Sequence, residues 1–334
     1  MKLTFKNLKH KSLMSLLIMS FISAASMSLP SISHADDDKQ ASAKGMGHEY
    51  ARNTALENSN KRIITLMTNN MLNGSDLNQL GRFFARKLIQ HDATIADGRE
   101  AMLNSIYVMR QVQPAQAINI KHILADGDLV FVQSQLSATP DNLLSGINRY
   151  DIYRLDHGVV VEHWLVKNKV SSRTANGNSV FNDAYQYPLP KPALPSYRIE
   201  LNRLLVRGLS DEVFGQRNFD LLNRFWATAY AQHNPGVANG RAALAAVIEY
   251  IAPVGGAYKI KQVIADDDKV LVCAQTYDPG TNQNDEFGGY AVCDMYRVAN
   301  LELVEHWDSY QAVAPTSVNG HTMFSSLYRG HVED

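Results

Sequence analysis

The sequence is poor in the residues that build disulfide frameworks, metal clusters and charged binding surfaces. Its 334 residues include only two cysteines, Cys273 and Cys293, and no CxxC pair, which excludes a disulfide scaffold and a thiolate metal or redox motif. Charged residues make up 19% of the chain and the formal net charge is −1, so neither nucleic acid nor an anionic membrane is favoured as a partner. What remains is the composition of a soluble globular protein, with 45% hydrophobic residues.

The first 35 residues have the pattern of a secretory signal peptide. Four lysines open the chain, residues 13–29 carry no charge, and the small residues Ser33 and Ala35 occupy the third-last and last positions before an acidic run. This pattern predicts cleavage after Ala35 and a periplasmic or secreted mature protein. An uncleaved membrane anchor is the alternative, but the apolar run is short of a full bilayer span. We therefore expect no stable membrane anchor.

The rest of the chain repeats itself once. Matching segments occur in the same order in both halves, at offsets of 140 to 143 residues. The matched segments are Gln90-His91 with Gln232-His233, Ile120-Lys121 with Ile260-Lys261, Asp151-Ile152-Tyr153-Arg154 with Asp294-Met295-Tyr296-Arg297, Val161-Glu162-His163-Trp164 with Val304-Glu305-His306-Trp307, and Asn176-Gly177 with Asn319-Gly320. Two copies of this length indicate a duplicated domain and not a solenoid.

Within each copy the hydrophobic period changes from helical to strand-like. Helices are predicted over 60–72, 77–85 and 99–111 in the first copy and over 201–209, 219–226 and 242–251 in the second. Strands are predicted over 117–124, 129–136, 148–155 and 159–167, and over 258–264, 269–277, 290–298 and 303–310. Helices followed by a meander of strands predict an α+β unit, in which a bent, mostly antiparallel sheet would wrap three helices.

These patterns divide the chain into four parts. We predict a signal peptide over 1–35, a first domain over 50–182 and a second domain over 198–326. Residues 183–197 between the domains hold four of the 11 prolines, which is typical of a stiff, extended linker.

The repeated motifs resemble those of the SnoaL-like polyketide cyclases, a branch of the NTF2-like superfamily, and in particular its aldol-condensation proteins. The second copy carries them as Tyr230-Ala231-Gln232-His233-Asn234-Pro235, Val263-Ile264-Ala265-Asp266, Cys293-Asp294-Met295-Tyr296-Arg297, Val304-Glu305-His306-Trp307-Asp308 and Asn319-Gly320-His321-Thr322-Met323-Phe324. The resemblance implies two tandem NTF2-like cones, each with a cavity. It also implies pairing of cones through their sheets and cofactor-free acid–base chemistry on a carbonyl compound.

The first copy departs from this pattern at two places. Asp92-Ala93 stands where the second copy has Asn234-Pro235, and Leu165 stands in place of Asp308. We therefore expect the second copy to carry the activity and the first copy to support it structurally. The two copies would form an intramolecular pseudo-dimer, or the chain would form a homo-dimer.

Asp294 and His306 are the candidate catalytic residues for proton transfer. Asp294 lies in an otherwise apolar strand, and a carboxylate in an apolar cavity becomes a better base because desolvation disfavours its charged form. Alternation groups His306 with Asp308, which would orient it. The alternatives are that Asp294 pairs with Arg297 or Arg241 on the outer face of the sheet and that His306 is a solvated or hydrogen-bonded strand histidine.

His233 is the third catalytic candidate, as a donor to a substrate oxygen at the cavity rim, unless it only caps the turn before the next helix. The remaining candidate residues are expected to contact a small hydrophobic substrate. They are Tyr230, Tyr290, Trp307 and Asp308 in the second copy and the matched Asp151, His163 and His91 in the first.

No cofactor and no metal are expected. His233, His306, His321 and Asp294 would suit zinc or iron by ligand type, but no HExxH pairing or close histidine spacing supports such a site. The two cysteines fall on neighbouring predicted strands, where a cross-strand disulfide is a simpler interpretation than a nucleophile.

Two functions stay open at this point. The chain is either a cofactor-independent enzyme, of the aldol condensation, cyclase or isomerase type, or a non-catalytic binding or assembly module with the same fold. The number of polar groups that converge inside one cavity separates them.

Overall fold

Two α+β units of the same topology follow one another along the chain. The computed structural model describes residues 52–72, 76–187, 191, 193–251 and 256–330, so the predicted signal peptide lies outside the described residues. Among the described helices, none has the length and apolarity needed to cross a membrane. The predicted α+β fold class with two cones is confirmed.

The first unit consists of three helices and a five-stranded sheet. Its elements are α1 (Thr54–Asn70), α2 (Leu77–Gly81), β1 (Phe84–Gln90), α3 (Arg99–Val112), β2 (Ala117–Asp126), β3 (Leu129–Ser137), β4 (Ile147–Asp156) and β5 (Val159–Lys169). The strand order is β1-β5-β4-β3-β2, with β1 parallel to β5 and the other pairs antiparallel. The side chain of Asn53 caps α1 by accepting a hydrogen bond from the Leu56 N–H.

The second unit repeats this order. Its elements are α4 (Ser196–Ser210), a π-helical turn (Asp211–Gly215), α5 (Leu221–Phe225), β6 (Trp226–Gln232), α6 (Arg241–Ile251), β7 (Ala257–Asp266), β8 (Lys269–Tyr277), β9 (Tyr290–Ala299) and β10 (Glu302–Ala312). The strand order is β6-β10-β9-β8-β7, and β6 is again parallel to β10.

One predicted helix in the first unit is too long. The sequence pattern extended it over residues 77–85, but α2 ends at Gly81 and Phe84 already begins β1. Pairing with β5 satisfies the backbone of this segment, which local sequence could not reveal because the partner lies some 75 residues further on.

Glycine is required where the chain enters β4 and β9. Gly146 and Gly289 have φ values of 90° and 73°. A Cβ at these positions would lie 2.4 Å from the Leu136 carbonyl oxygen and 2.0 Å from that of Thr276. Only glycine can adopt this positive φ while its α-carbon lies so close to a carbonyl oxygen of the neighbouring strand.

The two sheets pack against each other through the faces that turn away from their own helices. A shared apolar cluster joins them, with Phe131 and Trp164 from the first unit and Leu271, Met295 and Trp307 from the second. The Cys273–Cys293 disulfide belongs to this cluster and links directly opposed residues of β8 and β9, with a Cα–Cα distance of 4.0 Å. The cross-strand interpretation of the two cysteines is therefore confirmed.

The segment after each sheet crosses over to the other unit. We call residues 171–187 the first arm and residues 314–330 the second arm. In the first arm, Asn176 Nδ2 donates to the carbonyl oxygens of Asn234 and Val237, at 2.6 and 2.8 Å. In the second arm, Asn319 Nδ2 donates to the carbonyl oxygens of Asp92 and Ile95, both at 2.8 Å. The asparagine of the repeated Asn-Gly motif therefore binds the arm of each unit to the other unit.

The end of the first arm overlaps the predicted linker. Asp183 pairs with Arg297, and the backbone N–H groups of Ala184 and Tyr185 donate to Glu305 Oε1. Residues 183–185 are therefore bound to the second unit, and they do not act as a free spacer.

We expect Asn319→Ala to lower the free energy of unfolding by about 1–2 kcal/mol, because two carbonyl groups lose their hydrogen-bond donor. The matched variant Asn176→Ala should lose a similar amount. Urea denaturation of both variants measures this. Unchanged stability in both would contradict a structural role for the arms.

Candidate active site

Asp294 and His306 form a buried pair on the inner face of the second sheet. Asp294 is 0% exposed and His306 is 4% exposed. His306 Nε2 lies 2.9 Å from Asp294 Oδ1, and His306 Nδ1 lies 2.7 Å from Gln232 Oε1. Strands β9, β10 and β6 each contribute one of the three residues, so only the assembled sheet brings them together.

Hydrogen-bond roles in this pair follow from Gln232. Its Oε1 also accepts the backbone N–H groups of His233 and Asn234, at 3.0 and 2.9 Å, which identifies this atom as the oxygen. His306 Nδ1 must then carry a hydrogen. The contact between Nε2 and Asp294 Oδ1 consequently needs one further proton, shared between imidazole and carboxylate.

The second oxygen of Asp294 has no hydrogen-bond partner among the described residues, although it is buried. The rings of Tyr296 and Tyr230 lie 4.9 and 6.3 Å from the His306 ring. Burial and the charge of Asp294 raise the pKa of the Tyr258 and Tyr296 hydroxyls well above the ordinary value, so these hydroxyls stay protonated. A buried carboxylate oxygen without a donor is available to accept a proton.

Asp308 lies directly opposite Asp294 in the strand pairing. Burial raises the pKa of the Asp308 carboxyl above its ordinary value; His306 partly offsets this, and the negative charge of Asp294 adds to it. Asn234 Nδ2 donates to Asp308 Oδ2. Two buried carboxyl groups this close favour one protonated member, which is the arrangement of an acid beside a base.

The same three side chains offer metal ligands. One ligand atom each from Asp294, His306 and Asp308 lies within 4.8 Å of the others. The expectation of no metal rested on the absence of close histidine spacing in the sequence. The strand register brings these residues together without such spacing, so the donor set fits a divalent cation by type.

His233, a candidate catalytic residue, lies on the opposite face of the sheet from Asp294. Its Nε2 is 2.8 Å from Glu305 Oε1, its Nδ1 is 2.6 Å from the Ser179 carbonyl oxygen, and its ring stacks on Trp307 at 4.8 Å. His233 and Trp307 therefore bind the first arm, and the structure does not bring them to the Asp294 pair.

Two further candidates lie away from the buried pairs. Tyr290 begins β9 four residues before Asp294, about 13 Å along an extended strand. His91 mirrors His233: its Nε2 is 2.9 Å from Glu162 Oε1 and its Nδ1 is 2.7 Å from the Thr322 carbonyl oxygen of the second arm. Of the second-unit candidates, Tyr230 and Asp308 are the two that lie with His306 and Asp294.

In the first unit, the pair that corresponds to His306 and Asp294 is His163 and Asp151, and its hydrogen bonds differ. His163 Nε2 lies 2.9 Å from Asp151 Oδ1, but Arg149 also binds both oxygens of Asp151, at 2.7 and 3.1 Å. Burial alone would raise the pKa of Asp151, yet Arg149 and His163 outweigh it and lower the pKa to about 2. Arg149 was not among the residues that the sequence predicted for a site. Its position two residues before Asp151 in a strand, and hence on the same face, was the available signal.

A cavity of about 500 Å³ opens beside this pair in the first unit. Its polar wall includes Arg149, His163, Lys167 and Asp92, while helix α3 and its neighbours supply an apolar wall. Val318 of the second arm also lines the cavity, so both units contribute to it.

Residues 62–176 match the family model of the SnoaL-like polyketide cyclases, which places the match on the first unit although the second showed more of the motifs. None of the curated proteins compared with the chain matches it. Among solved structures, the IdmH 96–104 loop truncation variant is 19% identical, with 33% of this chain and 92% of that chain covered and a TM-score of 0.29.

An NTF2-like protein of unknown function from Burkholderia xenovorans LB400 is 14% identical to this chain. The match covers 36% of this chain and 91% of that chain, with a TM-score of 0.29. A similar protein from Cytophaga hutchinsonii ATCC 33406 is 12% identical, with 33% and 89% covered and a TM-score of 0.27. The family-model match thus shows that the first unit, over residues 62–176, is similar to the SnoaL-like polyketide cyclases.

Proposed function

We propose that the second unit catalyses cofactor-independent proton transfer on a small hydrophobic carbonyl compound, in a reaction of the aldol condensation, cyclase or isomerase type. The observation that carries the proposal is the Asp294 carboxylate, which is fully buried, binds His306 through one oxygen and has no donor to the other among the described residues. Such a carboxylate is a base placed in a water-poor site.

Asp294 removes a proton from the carbon next to the carbonyl group. His306, held by Gln232 on its far side, keeps the carboxylate oriented and shares its proton. Asp308, with its raised pKa, supplies a hydrogen to the enolate oxygen that develops.

The second unit suits this chemistry better than the first because it lacks the arginine. Val292 stands where the first unit has Arg149, and no arginine in the described part of the chain pairs with Asp294. A carboxylate paired in the way Asp151 is paired would be a poor base. We further propose that the first unit, through its sheet and arm, acts as the pseudo-dimer partner that keeps the second unit folded, and that the mature chain is exported.

The test is α-proton exchange in D₂O, followed by ¹H NMR, with a panel of apolar β-diketones and β-keto esters. This reaction reports proton removal without requiring the natural product. We expect the mature chain to accelerate exchange for at least one compound above the buffer rate, and a chelator to leave the rate unchanged. Loss of exchange with the chelator would instead identify the Asp294, His306 and Asp308 cluster as a metal centre. No acceleration with any compound would contradict the proposal.

Asp308→Leu gives the second unit the residue of the first unit at this position. We expect exchange to slow about 100-fold, because the enolate oxygen loses its acid. Stability should stay the same or rise, since one of two adjacent buried carboxyl groups is removed. Exchange rates and urea midpoints measure both effects, and an unchanged rate would contradict the role of Asp308.

A further inference from the structure

The cavity of the first unit has a polar wall unlike that of the proton-transfer site. Arg149 is buried and uses Nε and Nη2 to bind Asp151, while its Nη1 has no hydrogen-bond partner among the described residues. Because Arg149 lines the cavity and a guanidinium has five N–H donors, the remaining donors are available to a molecule inside it.

His163 lies beside Arg149 and contacts the same carboxylate, Asp151. Gln90 Nε2 donates to the Met102 sulfur at 3.4 Å, which leaves Gln90 Oε1 to accept from His163 Nδ1 at 2.9 Å. His163 Nε2 faces Asp151, which Arg149 keeps ionised and which therefore also only accepts. His163 and Arg149 are therefore both held against Asp151, on the polar side of the cavity.

Lys167 completes the polar wall at the mouth of the cavity. Its Nζ lies 3.2 Å from Asp92 Oδ2, and its side chain is 40% exposed. Asp92 also accepts from the backbone and hydroxyl of Thr94, at 2.9 and 2.7 Å. The polar wall thus sets two cations, Arg149 and Lys167, against two carboxylates, Asp151 and Asp92, and Nη1 of Arg149 is left to bind a further acceptor.

The opposite wall is mainly apolar, although Asn104 and Ser105 of helix α3 also line it. Met102, Ile106 and Met109 from helix α3, together with Ile95 and Leu165, line it, and Val318 of the second arm adds to the rim. A cavity of about 500 Å³ with this division lies in the size range of small-molecule sites.

We infer that the first unit binds a small apolar carboxylic acid in this cavity, with the carboxylate at Arg149 and Lys167 and the apolar body against helix α3. The second unit offers no such site at the matched positions, where Val292 and Tyr310 stand in place of Arg149 and Lys167. The inference is separate from the proposed proton transfer, because it concerns binding by the other unit and needs no turnover.

The test is calorimetric titration of the intact mature chain with 2-naphthylacetate and with its neutral amide, 2-naphthylacetamide. We expect the acid to bind at least about tenfold more tightly than the amide, since a charge-assisted hydrogen bond is stronger than a neutral one. Equal affinity for the two compounds, or no binding of the acid at millimolar concentration, would overturn the inference.

Variants at the cavity locate the binding without breaking the Arg149–Asp151 pair. Lys167→Met should weaken acid binding about fivefold and leave the amide unchanged, because it removes one partly exposed charge. Lys169→Met, on the same strand but outside the cavity lining, is the matched control and should change neither. Ala101→Phe, which fills the cavity from helix α3, should abolish binding of both compounds. Acid binding that survives Ala101→Phe would overturn the location.

Discussion

Asp294→Asn should slow α-proton exchange about a thousandfold, which is the usual contribution of a well-placed general base. The amide of asparagine has nearly the same shape as the carboxylate, so it can keep the contact with His306 Nε2. It cannot accept a proton from carbon. The exchange rate in D₂O under identical conditions for wild-type chain and variant measures the effect.

The stability of Asp294→Asn should stay close to that of the wild type. Asp294 lies opposite the carboxyl of Asp308 and, among the described residues, only His306 binds its side chain, a contact that asparagine can keep. Removing a charge from such a position costs little. If the variant kept its exchange rate, or lost activity only because it unfolded, the assignment of Asp294 as the base would be wrong.

Asp151→Asn, the same substitution at the matched position of the first unit, should instead lower stability clearly. We expect it to lower the free energy of unfolding by about 3 kcal/mol, because Arg149 is then left buried without its charge partner. Urea denaturation of the two asparagine variants side by side measures the contrast. Equal stability of the two variants would show that Arg149 does not distinguish the sites.

The loss in Asp151→Asn should depend on pH. The folded-state pKa of Asp151 is lowered to about 2, so its ionised form contributes stability above the unfolded-state value near 4. This contribution is lost as the pH falls through the folded-state value. The difference in unfolding free energy between wild type and variant should therefore be full at pH 6 and should shrink between about pH 4 and pH 2. A difference that stays constant over this range would argue against the ion pair.

The strand pattern predicted which residues share a face of the sheet. Alternation grouped His306 with Asp308 and Glu305 with Trp307, and the structure has the first pair inside the unit and the second pair towards the first arm. It could not predict which face meets the other unit, since both faces of these strands are buried. His233 and Trp307 were therefore assigned to a substrate although they bind an arm.

The sequence by itself determined the doubled α+β architecture, because hydrophobic period and repeated motifs are local properties of the chain. Only the tertiary structure decided the chemistry of each unit. The pairing of Asp294 with Asp308, the support of His306 by Gln232 and the crossing of the arms all join residues that are distant in the chain. The effect of Arg149 on Asp151 was likewise settled by packing, because burial makes a nearby charge strong enough to decide whether a carboxylate is a base or half of an ion pair.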